Sequence, residues 1–105
     1  IIEGAGGLYC PLSRNKTFAD LIKELNVPAI IVATPSLGRL NHILMTLDCA
    51  KSKGIEIKGL IINKMPEKPN LSESHFIEEL KDFSDVPILA QVSYNDFDSF
   101  KNINL

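Results

Sequence analysis

Three short, unbroken apolar runs are separated by stretches with helical spacing: Ala29-Ile30-Ile31-Val32-Ala33, Gly59-Leu60-Ile61-Ile62 and Val86-Pro87-Ile88-Leu89-Ala90. Runs of this kind suit strands buried on both faces, since polar alternation is needed only where one face meets water. Thr17 is a good helix N-cap with Asp20 three residues on, and Phe18, Leu21, Ile22 and Leu25 then form one apolar face. This spacing predicts a helix over residues 17–26 that stops before Pro28. Ser36 is expected to cap a longer helix with the stripe Leu37, Leu40, Ile43, Leu44 and Leu47, ending near Lys53 at Gly54. Ser72 is expected to open a third, with Phe76, Ile77, Leu80 and Phe83 inward and Glu73 in the first turn, where the helix dipole favours an acid. Ile1-Ile2 reads as the end of a buried strand whose earlier residues lie outside this sequence. Strands alternating with helices imply parallel strands joined by right-handed crossovers, hence an α/β fold with a parallel sheet and helices on both faces.

The 105 residues, 45% hydrophobic and 23% charged, describe one globular unit or a piece of one. A formal net charge of −2 with scattered basic residues provides no electrostatic footprint for nucleic acid or anionic lipid, so neither is expected as a partner. No apolar run approaches the roughly 20 residues that cross a bilayer, and no basic region precedes an apolar stretch at the start, so the chain reads as cytosolic. Cys10 and Cys49 are far apart and lack clustered His partners, which predicts reduced, buried thiols rather than a zinc site or disulfide.

Ligands in open α/β sheets gather at the carboxyl ends of the strands. That rule selects the turn after Ile2, residues 34–38, the Asn63-Lys64 pair and residues 91–95. At the first of these, Glu3-Gly4-Ala5-Gly6-Gly7-Leu8 sets a carboxylate at the mouth of a glycine-rich turn. Glycine lets a ligand approach the backbone, so these amides are free to face phosphate and Glu3 to reach a Mg²⁺ shared with it. A tight turn with an exposed Glu explains the same residues equally well. The spacing is not that of the G-x-G-x-x-G dinucleotide fingerprint. At the second place, residues 36–41 open a helix, whose free amides and partial positive charge suit a carboxylate. Residues 65–70, Met-Pro-Glu-Lys-Pro-Asn, read as a turn-rich loop.

The runs I-I-E-G-A-G-G-L-Y-C-P-L, T-F-A-D-L-I-K-E-L-N-V-P-A-I-I-V, S-L-G-R-L-N-H-I-L-M-T-L and G-L-I-I-N resemble the dethiobiotin synthetase family from its metal-binding Glu onward, over nearly the whole chain. E-G-A-G-G and G-hydrophobic-N also occur in related P-loop enzymes, such as the cobyrinic and cobyric acid synthases and the division-site ATPases. L-G-x-hydrophobic-N-H is more particular to dethiobiotin synthetase. The resemblance implies a P-loop NTPase-like fold and a homodimeric ligase that uses Mg²⁺ and ATP. In that family 7,8-diaminononanoate is carboxylated by CO₂ to a carbamate, ATP phosphorylates the carbamate, and the second amine displaces phosphate to close the ureido ring of dethiobiotin. Catalysis of this kind is mostly positioning and charge neutralisation.

Carried over by the resemblance, Glu3 is a Mg²⁺ ligand, and Gly4, Ala5 and Gly6 lie along the nucleotide phosphates. Asn63 reads adenine, since a carboxamide both donates and accepts as the base edge does; the alternative is a strand-end Asn that caps a turn. Lys64 lines the base pocket, and Ser93, Tyr94 and Asn95 form its far wall, although many relatives carry Pro where Ser93 stands. Leu37, Gly38 and Asn41 hold the carboxylate tail of the diamine bound to the other subunit. The alternatives are a Gly38 chosen for close packing at the helix start and an Asn41 at the subunit contact. His42 reads as a packing or interface residue and Asp20 as a first-turn acid, so no catalytic residue is assigned. The phosphate-cradling G-x-x-x-x-G-K-[ST] loop does not occur in these residues. The chain is therefore expected to correspond to the C-terminal half of such a synthetase and to be inactive alone. Two further readings stay open: a related amide-forming synthase or regulatory ATPase, and a noncatalytic dimerisation or interaction module.

Overall fold

The structure is a computed structural model and describes residues 1–99, 101 and 103. Strand β1 (Pro11–Ser13) and strand β2 (Lys16–Thr17) form a small antiparallel hairpin that feeds helix α1 (Phe18–Leu25). Then follow β3 (Ala29–Ala33), α2 (Arg39–Lys53), β4 (Ile57–Met65), α3 (Leu71–Phe83) and β5 (Ile88–Ser93). Strands β3, β4 and β5 are adjacent in that order and parallel, giving the expected α/β fold.

The main core joins α2, β4 and α3 through Ile43, Leu60, Ile62, Phe76 and Leu80. A second cluster, Ala19, Ala50 and Ile55, seats α1 against the end of α2, with Leu8, Ala29 and Ile57 around it. Both clusters lie on the sheet face that carries Ile31 and Leu60. On the other face, among the described residues, Val32 is 61% exposed and Leu89 leans across Gly59. The covering that the alternation predicts is therefore seen on one face of this three-stranded sheet, where both crossover helices pack.

Several local expectations need correction. Ile1 and Ile2 are exposed and pair with no strand among the described residues; without a neighbour to complete its ladder, an apolar pair stays irregular. The β1–β2 hairpin was not legible because its few residues are mostly exposed and carry no alternation. Thr17 caps α1 as expected, in a reciprocal capping box with Asp20, and Asn26 ends the helix in the left-handed conformation at φ 51°. Its most buried residue is Ala19, and Leu25 is exposed, because close contact with Ala50 of α2 turns a small residue inward. Helix α2 begins after Gly38 rather than at Ser36, and Leu37 projects into solvent instead of joining the stripe. Asn70, not Ser72, caps α3 in a box with Glu73, and Phe83 at its last position is exposed. Strand β4 runs past residue 62 to include Asn63, Lys64 and Met65, while β5 starts after Pro87 and reaches Ser93. Cys10 and Cys49 are free thiols as expected, but half-buried rather than buried.

Candidate functional site

The carboxyl ends of β4 and β5 bring two predicted groups together. Met65 is the register partner of Ser93, so Asn63 and Lys64 stand beside the start of the segment that carries Tyr94 and Asn95. The pairing is irregular between Ile62 and Met65, and Lys64 sits there in the left-handed conformation at φ 56°. The Oδ1 of Asn63 accepts the Lys64 backbone N–H at 2.8 Å, which fixes the carboxamide and leaves its NH₂ free of that bond. The turn-capping alternative and the base-reading one thus use different ends of the same side chain.

Beyond β5 the chain turns sharply. The N–H of Asp96 donates to the Ser93 carbonyl at 3.2 Å and closes a turn over Tyr94 and Asn95, with Asn95 left-handed at φ 58°. The Asp96 carboxylate then accepts the N–H groups of Asp98 at 3.0 Å and Ser99 at 3.2 Å, together with the Ser99 hydroxyl. The hydroxyl bond first, and the Asp98 amide next, hold the Asp96 carboxyl below the usual carboxylate range. Tyr94 and Phe97 are exposed on this segment. Sequence reasoning passed over Asp96, although an Asp three residues ahead of a Ser is a recognisable backbone-capping pattern.

At the carboxyl end of β3, residues 34–38 lead into α2. Gly38 is left-handed at φ 79°, and a Cβ there would meet nothing within 4 Å. Conformation, not close packing, therefore explains this glycine. Arg39 Nε donates to Ser36 Oγ at 3.3 Å, its Nη1 lies 3.2 Å from His42 Nδ1, and Thr34 and Ser36 hydroxyls are 3.1 Å apart. Leu37, Gly38 and Asn41 are all exposed beside this network. The helix end so formed presents backbone amides and a guanidinium, an arrangement that suits an anion.

Residues 3–7 form an irregular, exposed loop with Gly6 at φ 92° and Gly7 at φ 98°. A Cβ on Gly4 would lie 2.9 Å from the Phe18 ring, and one on Gly6 would lie 2.9 Å from Cys10 Sγ. At Gly4 and Gly6 the loop therefore runs close to Phe18 at the start of α1 and to Cys10 before the hairpin. Among the described residues no group of three or more His, Cys, Asp or Glu could hold a metal ion. Glu3 offers one carboxylate, too few for a Mg²⁺ cage but in keeping with an ion whose other ligands are phosphate and water. No described helix is long and apolar enough to cross a membrane.

The family model described as "AAA domain" matches residues 1–97. The ATP-dependent dethiobiotin synthetase BioD of Bacillus velezensis is 42% identical over 103 residues, covering 98% of this chain and 44% of that protein. The protein of the same name from Caldicellulosiruptor saccharolyticus is 41% identical over 114 residues, covering 98% and 46%. That of Bacillus subtilis is 42% identical over 90 residues, covering 86% and 39%. The chain thus spans less than half the length of these curated relatives. With a parallel α/β sheet, this model match and this similarity, the chain belongs to the AAA domain family and is homologous over most of its length to dethiobiotin synthetases.

Proposed function

We propose that this chain supplies the nucleotide-base side and the substrate-carboxylate side of an ATP-dependent dethiobiotin synthetase, a cytoplasmic homodimer. The single observation that carries the reading is the 42% identity across 98% of the chain to a protein named for that activity. The register of β4 and β5 supports it locally, because it sets Asn63 beside the segment of Ser93, Tyr94 and Asn95. In this reading the free NH₂ of Asn63 donates to adenine, Lys64 borders the base, and Tyr94 closes over its face. Gly4, Ala5 and Gly6 run along the phosphates. Glu3 contributes one ligand to Mg²⁺, which when bound neutralises phosphate charge.

The amides at the start of α2, with Leu37, Gly38 and Asn41, hold the carboxylate of 7,8-diaminononanoate from the partner subunit of the dimer, and CO₂ provides the ureido carbon. The chemistry asked of these residues is to bind and orient; proton transfer and phosphoryl transfer are not assigned to any of them. The test uses the full-length protein, supplied with ATP, the diamine and bicarbonate, with dethiobiotin read by mass spectrometry. Product formation is expected. Asn41→Ala and Gly38→Val are expected to raise the KM for the diamine, and an unchanged diamine KM in both overturns the substrate-carboxylate assignment. Absence of dethiobiotin overturns the ligase reading.

A further inference from the structure

The segment after β5 has little apolar burial to hold its shape: Tyr94 and Phe97 are 67% and 80% exposed, and Ser93, Asn95 and Asp98 are exposed as well. Asn95 also sits at φ 58°, a conformation with a cost for any residue bearing a Cβ. Something must offset that cost and the entropy of ordering an exposed turn. One residue does so from both sides. The backbone N–H of Asp96 closes the turn that contains Tyr94 and Asn95, and its carboxylate caps the next turn through two amides and the Ser99 hydroxyl.

We infer that Asp96 is a positioning residue for the nucleotide: by joining these two turns it fixes the wall that presents Tyr94 to the base. The inference rests on the nucleotide-pocket reading proposed above and adds to it a residue that touches neither base nor phosphate. An ionised carboxylate accepts hydrogen bonds more strongly than a neutral group, so it can hold a turn that burial does not. Lys101 pairs with Asp98 at 2.6 Å, and its N–H donates to the Asp98 carbonyl at 3.0 Å. Loss of the Asp96 carboxylate should therefore loosen the Tyr94 wall and leave the α2 end, on another strand, untouched.

The experiment is steady-state kinetics and equilibrium ATP binding on the full-length protein carrying Asp96→Ala, Asp96→Asn, Ser99→Ala or, as a reference, Asn63→Ala. Asp96→Ala is expected to raise the KM and Kd for ATP roughly tenfold, the scale of losing bonds to a charged acceptor. The diamine KM and kcat should stay within about twofold on the same argument of separate strand ends. Asp96→Asn keeps an acceptor oxygen but not the charge and should fall between Asp96→Ala and the unaltered protein, while Ser99→Ala removes one bond and should cost about threefold. If Asp96→Ala does not fold, the Ser99→Ala result decides. An ATP affinity unchanged in Asp96→Ala and Ser99→Ala while Asn63→Ala weakens it overturns the positioning role alone. An equal rise in both substrates' KM overturns it too, since that marks general destabilisation. If Asn63→Ala leaves ATP binding intact, the base-pocket reading falls at Asn63, whatever Asp96 does.

Discussion

Gly59 and Gly38 are both glycines by necessity, for opposite reasons. At Gly59 the space is taken: an added Cβ would come 2.4 Å from Leu89 Cγ, closer than any carbon pair tolerates. At Gly38 the space is open and the backbone, at φ 79°, is what excludes other residues. Gly59→Ala in the full-length protein is expected to cost about 1–3 kcal/mol, the usual penalty of overpacking. Leu89→Ala in the same background should return part of that loss by vacating the overlap, and urea titration reads both. Additive losses in the double variant would show that the two side chains do not compete for the same volume. Asn63 belongs to this scale as well. Its type and strand-end place are legible in sequence, but the bond from Lys64 N–H to its Oδ1, which decides the end of the amide left for a ligand, comes only with the left-handed turn at Lys64.

Helix α1 is the element whose start is most completely written in the sequence. Thr17 and Asp20 bond reciprocally: the Asp20 carboxylate accepts the Thr17 N–H at 2.8 Å and the Thr17 hydroxyl at 2.8 Å, while Asp20 N–H reaches Thr17 Oγ1 at 3.4 Å. The Thr17 amide first, then its hydroxyl, holds the Asp20 carboxyl below the usual carboxylate range, with Lys53 and Lys16 adding smaller charge effects. A carboxylate with a depressed folded-state pKa contributes stability that is present above the unfolded-state value and disappears as pH falls through the folded one. The melting temperature is therefore expected to drop on acidification below the ordinary carboxylate range, and Thr17→Val, which cannot make the hydroxyl bonds, should flatten that dependence. At neutral pH, Thr17→Ala should cost about 1 kcal/mol, as lost N-caps do. A Thr17→Val protein with an unaltered acid limb would rule out the Thr17 hydroxyl as a contributor, since the amide bond to Asp20 survives that substitution.

The other helix starts were less readable. Ser36 has the chemistry of a cap, yet the chain spends its hydroxyl on Thr34 and Arg39 before the helix begins, and Gly38 takes the cap position with no side-chain bond. Asn70 takes the α3 cap from Ser72 because Glu73, three residues on, completes a box with Asn70. Capping residues compete locally, and the box with Glu73 together with the packing of Phe76 and Leu80 in the core sets where α3 starts.

For the whole molecule, three parallel strands joined by two crossover helices collect residues 34–41, 63–64 and 93–99 at the carboxyl end of the sheet. The 105-residue chain supplied with ATP, the diamine and bicarbonate is expected to release no phosphate, because it presents one candidate metal carboxylate and no lysine-bearing phosphate loop. A malachite-green assay reads this directly, and turnover by that chain would mean that phosphate handling lies in residues given other roles here. Sequence by itself determined the α/β class, the positions of β3, α1 and α2 to within a few residues, and the polar groups at the strand ends, because hydrophobic period, caps and breakers act over short distances. Tertiary structure decided the rest. Which strand end faces which follows from register, and which face is covered follows from where both crossovers pack; each depends on residues distant in the chain, which no local pattern records.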